Sequence, residues 1–70
     1  MIDRYRLRLR AIVVSTNDAL RHEFSEGVTR RIRLEADRLL NELERDVSGG
    51  HPDRALLEEI ARARALIRPS

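Results

Sequence analysis

Cysteine, lysine and tryptophan are absent from this chain of 70 residues, and its aromatics stop at Tyr5 and Phe24. Without cysteine there is no disulfide, no thiolate metal site and no thiol nucleophile. With two aromatic rings, any core must be aliphatic. Proline and glycine are scarce, two and three residues, and stand at Gly27, Gly49-Gly50, Pro52 and Pro69. The longest uninterrupted apolar run, Ala11 to Val14, is far too short for a membrane helix or a secretory apolar segment. A cytoplasmic location without membrane contact is therefore expected, and the lack of cysteine agrees with it. The whole length, 1–70, reads as a single domain. A domain this small buries only about 60% of its unfolded surface and is marginal alone. That points to a homodimer or a higher oligomer.

All fourteen basic residues are arginine, against twelve acids. A genome rich in arginine codons produces this bias without function. Arginine also offers a rigid fork for phosphate, guanine or carboxylate. Position decides more than identity. Residues 1–14 hold four Arg against one Asp, a net +3, and residues 15–70 hold ten Arg against eleven acids, a net −1. In the second part most arginines have an acid four positions away: Glu26 with Arg30, Arg31 with Glu35, Arg33 with Asp37, Arg38 with Glu42, Glu58 with Arg62. That is the spacing of solvated helix faces, worth about 0.2–0.5 kcal/mol per pair. The first ten residues have no such partners and carry the concentrated positive field.

Those residues also carry the most regular pattern. Arg4-Tyr5-Arg6-Leu7-Arg8-Leu9-Arg10 alternates with period two, and the β-branched Ile12-Val13-Val14 follows closely. A strand would place Arg4, Arg6, Arg8 and Arg10 on one face and Tyr5, Leu7 and Leu9 on the other. A helix would set Arg4 beside Arg8 and Arg6 beside Arg10, which repels. The pattern predicts a strand over about 4–14. No second strand is evident, so its backbone needs a partner from another chain.

The remainder reads as helix. Ser15-Thr16-Asn17-Asp18 is a cluster of N-cap residues. Leu20, Phe24, Val28, Ile32, Ala36, Leu39, Leu40, Leu43 and Val47 then recur at helical spacing. This region, about 16–47, is either one helix or two broken at Gly27. Ser48-Gly49-Gly50 ends it. His51-Pro52-Asp53 opens a last helix, about 52–68, stopped by Pro69. The expected fold class is mainly α with one N-terminal β-strand, as an intertwined homodimer. Leu7, Leu9, Leu20, Phe24, Val28, Ile32, Ala36, Leu39, Leu40, Leu43, Leu56, Ile60 and Ile67 are expected to form the core and the dimer contact.

Catalytic constellations are lacking. His22 and Glu26 lie one helical turn apart, but His22-Glu23-Phe24-Ser25-Glu26 has no second histidine as a zinc-protease motif requires. His51 reads as a loop or cap residue. Gly49-Gly50 follows a helix rather than a strand, the wrong context for a phosphate loop. No enzyme activity, catalytic residue, metal or cofactor is expected.

The basic strand has three readings. As a surface edge strand, its arginines would resist sheet-to-sheet aggregation. As half of a two-stranded ribbon in the DNA major groove, Arg4, Arg6, Arg8 and Arg10 would meet base edges and phosphates. It would also suit an acidic protein surface or RNA.

The order strand, helix, Gly and second helix, with the stretch Glu26-Gly27-Val28-Thr29-Arg30-Arg31, resembles the ribbon-helix-helix repressors over about residues 4–47. That resemblance implies a small homodimeric transcription regulator or antitoxin-like protein that binds duplex DNA. It further implies that Thr29 and Arg30 clamp the DNA backbone at the start of the second helix. The chain departs from the family in a longer strand, a short first helix, Ile32-Arg33-Leu34 in place of an apolar doublet, and the added C-terminal helix. Family members sometimes use such an extension to hold a toxin or ligand. A continuous helix through Gly27 leads elsewhere. The protein would then be a helical-hairpin adaptor or assembly subunit, docking on a protein partner through its N-terminal strand or its last helix.

Overall fold

The computed structural model describes residues 2–22, 24–50 and 52–67. It shows three helices and, among the described residues, no strand: α1 (Ile2–Leu20), α2 (Glu26–Gly49) and α3 (Arg54–Ile67). The expected strand over 4–14 is therefore corrected to helix, and with it the mixed fold class. The reason is a second pattern running through the same residues. Tyr5, Leu9, Ile12, Val13 and Thr16 fall on one helical face. Leu9, Ile12 and Thr16 are buried there, and Tyr5 and Val13 pack at the edge. Burying an aliphatic side chain is worth about 1.5–3 kcal/mol. Like charges one turn apart cost only a few tenths, and three β-branched residues in a helix cost a few tenths each. Burial wins.

The Ser15–Asp18 cluster does not start a helix. It lies in the last turns of α1, and Thr16 faces the core. The chain turns earlier than Gly27. After Leu20 the amides of Arg21 and His22 donate to the carbonyls of Asp18 and Ala19 at 3.3 Å, tightening the helix end. Ser25, in extended conformation, then caps α2, and its hydroxyl accepts from the Val28 amide at 3.4 Å. Gly27 sits one residue inside α2 with no positive φ, and a methyl group built on it meets nothing within 4 Å. So neither one helix through 16–47 nor a break at Gly27 describes the chain. Gly27→Ala is expected to stabilise the protein, by up to about 1 kcal/mol in urea unfolding, because it restricts the unfolded backbone at no steric cost. Destabilisation would show that this position needs glycine's backbone freedom.

α2 ends at Gly49, and the Gly50 amide donates back to the Asp46 and Val47 carbonyls. Asp53 caps α3, its carboxylate accepting from the Ala55 and Leu56 amides at 3.0 and 3.3 Å. The last helix thus spans almost the expected range. His51 and Pro69 lie outside the described residues.

The helices run up, down and up. Arg8 of α1 reaches Asp46 of α2, and Arg64 of α3 reaches Asp37 and Glu44 of α2. α2 is the central element: Ala36, Leu40, Leu43 and Val47 are buried against Leu9 and Ile12 on one side and Leu56, Ile60 and Ile67 on the other. Of the residues expected to form the core and the dimer contact, Leu9, Ala36, Leu40, Leu43, Leu56, Ile60 and Ile67 are buried within the chain. Leu20, Ile32 and Leu39 are half-buried, and Leu7, Phe24 and Val28 are exposed. Arg33 leaves its own helix to donate to the Leu66 and Ile67 carbonyls at 3.4 and 3.1 Å, closing the C-terminal end of α3. The molecule is a rod of 39 × 19 × 15 Å, its length set by α2, about 36 Å at the helical rise. α3 spans about 21 Å by the same rise, so it leaves the N-terminal end of α2 covered by α1 alone.

Candidate functional site: the outward face of the first helix

Helical geometry divides the four N-terminal arginines among different faces. The Arg6 guanidinium donates to both carboxylate oxygens of Glu59, at 3.0 and 2.8 Å, and so ties α1 to α3. Arg8 donates to Asp46 at 2.7 Å and ties α1 to α2. Both pairs are about two-fifths exposed on the arginine side, so each contributes at most about 1 kcal/mol. Arg4 and Arg10 are exposed and form no ion pair among the described residues. Thr29 is half-buried and Arg30 exposed in the first turns of α2. Because α2 runs antiparallel to α1, these two sit near the opposite end of the rod. By the helical rise, Arg30 lies about 24 Å along the axis from Asp46, the partner of Arg8. The six residues read from sequence as one DNA-contacting set are not brought together.

The partners of Arg6 and Arg8 lie 53 and 38 residues away in sequence, so local spacing does not show them. The four-residue spacing is realised for Arg38, which donates to Glu42 at 2.5 Å and also pairs with Glu35 one turn earlier. The hydrogen bond from Arg38 holds the Glu35 carboxyl below the usual glutamate range, and the same contact pushes Arg38 up. Arg33 and Asp37 do not pair with each other: Arg33 meets α3 carbonyls and Asp37 meets Arg64.

Among the described residues Leu34 and Leu66 are exposed on α2 and α3, and two larger surfaces stand out. One is a groove of about 300 Å³ between the end of α1 and the start of α2, floored by Thr16, Ile32, Ala36 and Leu39 and rimmed by Arg31 and Glu35. The other is the side of α1 turned away from the core. Arg4, Leu7, Ala11, Val14 and Asp18 are all exposed, Leu7 at 66% and Val14 at 58%. Their spacing is three, four, three, four, which keeps one stripe along a helix in the manner of a coiled-coil seam. The residues of this seam were readable in the sequence, but period two grouped Leu7 with Leu9 and hid its relation to Val14.

Groups that could carry chemistry are sparse. The described residues contain no cluster of three or more His, Asp or Glu placed to hold a metal ion. His22 is exposed beyond the end of α1 with its ring 5.8 Å from that of Phe24, an aromatic contact. Among the described residues no helix is long and apolar enough to cross a membrane. No protein-family model matches the chain, and neither a curated protein nor a solved structure matches it.

Proposed function

We propose that this protein is a non-enzymatic helical assembly module that works by docking the outward face of α1 on protein. The observation that carries the reading is the pair Leu7 and Val14, exposed on one side of a helix whose opposite side already supplies a complete core face. A helix that only covers a core presents charged and polar residues to water. Apolar side chains aligned at helical spacing on an outer face fit the way a helix packs into a partner's groove.

The paired state of Arg6 and Arg8 favours the same reading over duplex DNA. A guanidinium already bound to Glu59 or Asp46 must give up that carboxylate before it meets a phosphate. Binding of labelled duplex DNA, followed by fluorescence anisotropy at two salt concentrations, separates the alternatives. The expected result is no complex tighter than ordinary non-specific binding, about 1–100 μM at physiological salt, with affinity collapsing as salt rises. A complex tighter than about 0.1 μM at physiological salt, weakened by Arg4→Ala/Arg10→Ala, would overturn the docking reading in favour of DNA.

A further inference from the structure

We infer that the occupant of this face is α1 of a second copy, lying antiparallel, so that the seam pairs with itself. The inference rests on the docking reading and names its partner. The seam is apolar in its middle and charged oppositely at its two ends: Arg4 in the first turn of α1, Asp18 in the last. About 21 Å separates them at the helical rise. A two-fold axis near Ala11 brings Arg4 of each copy to Asp18 of the other and sets each Leu7 alongside the opposite Val14. A parallel pair would put Arg4 on Arg4 and Asp18 on Asp18, like on like.

Two further features fit the antiparallel pair. The end charges are wrong for a solitary helix, since a cation near the N-terminus and an anion near the C-terminus both oppose the helix dipole. An antiparallel neighbour compensates each with an opposite charge and sets the two dipoles side by side in opposite directions. Ala11, the smallest side chain of the seam, falls on the axis, where the helices must come closest. Arg10 flanks the seam, and its long stem lets the guanidinium turn to water. The face is free for this contact because Arg6 and Arg8 draw α1 onto α3 and α2 from other sides. One seam of this length is a small interface, below about 1,200 Å² in total, so the dimer is a weak one.

Sedimentation equilibrium of the full chain, from about 10 to 500 μM, reads a micromolar equilibrium of this kind. The wild type is expected to pass from monomer to dimer over that range. Leu7→Glu/Val14→Glu should remain monomeric, with a thermal midpoint equal to that of dilute, monomeric wild type, because both side chains lie outside the core. Arg4→Glu and Asp18→Arg should each weaken association about tenfold by placing like charges across the contact. The double variant Arg4→Glu/Asp18→Arg should restore it to within about threefold of wild type. Three results would overturn the antiparallel pair: a wild type that stays monomeric, a dimer that survives Leu7→Glu/Val14→Glu, or a double variant no tighter than the singles. None of these touches the docking reading itself, which the DNA titration tests separately.

Discussion

Leu40→Ala is expected to remove about half of the protein's stability. Leu40 is fully buried in the middle of α2, where the faces of α1 and α3 converge. Removing three carbons there forfeits their transfer free energy and leaves a cavity, together about 2–5 kcal/mol. Domains are stable by roughly 0.05–0.15 kcal/mol per residue, which for a chain this size is only about 4–10 kcal/mol. The core has no disulfide and no large aromatic to absorb the loss. Urea unfolding followed by helical circular dichroism should show the midpoint fall to about half its wild-type denaturant concentration. Leu66→Ala is the control: that side chain is 81% exposed, and its removal should stay within about 0.5 kcal/mol. Equal effects at Leu40 and Leu66 would contradict the packing described.

The second large effect is a contrast between two neighbours. Leu9→Ala is expected to cost about 2–4 kcal/mol, and Leu7→Ala less than about 0.5 kcal/mol when both are measured on dilute monomer. Leu9 is 8% exposed and packs in the core; Leu7 points to water. On a strand the two would share a face and behave alike. The ratio of their effects therefore reports the conformation of the segment. Similar losses at both positions would restore the extended reading.

This contrast shows why the N-terminal third was misleading as sequence. Tyr5 and Leu9 are four residues apart, so they share a face under period two and under period 3.6 alike. Only Leu7, on the one hand, and Ile12 with Thr16, on the other, distinguish the two patterns. Alternating arginines gave period two its weight. The repulsion argued against a helix there is a local effect of a few tenths of a kcal/mol, while the carboxylates that relieve it, Glu59 and Asp46, are brought close only by the tertiary fold. The loss of the strand also removes the element that carried the resemblance to ribbon-helix-helix proteins.

The rest was more legible because local and tertiary signals agree. Ala36, Leu40, Leu43 and Val47 keep one helical face over three turns, and Gly49-Gly50 marks the end of α2. Leu56, Ile60 and Ile67 do the same in α3. The start of α2 is hidden in the sequence because Ser15–Asp18 is a stronger cap signal than Ser25, yet it is Ser25 that the chain uses. Of the candidate site, the exposure of Arg4, Arg10 and Arg30 was readable, but their separation along the rod was not. The outward seam of α1 became visible only once the segment was a helix.

Everything about α1, from the buried Leu9 to the exposed seam, depends on the backbone conformation of residues 4–18. The measurement that tests it most directly is the set of backbone carbon NMR shifts across that segment in the intact 70-residue chain. An unbroken helical pattern of Cα shifts from Arg4 to Asp18, ending before Ser25, is the expected result. Extended-chain shifts over Arg4 to Val14 would contradict it and return the four arginines to one face of a strand.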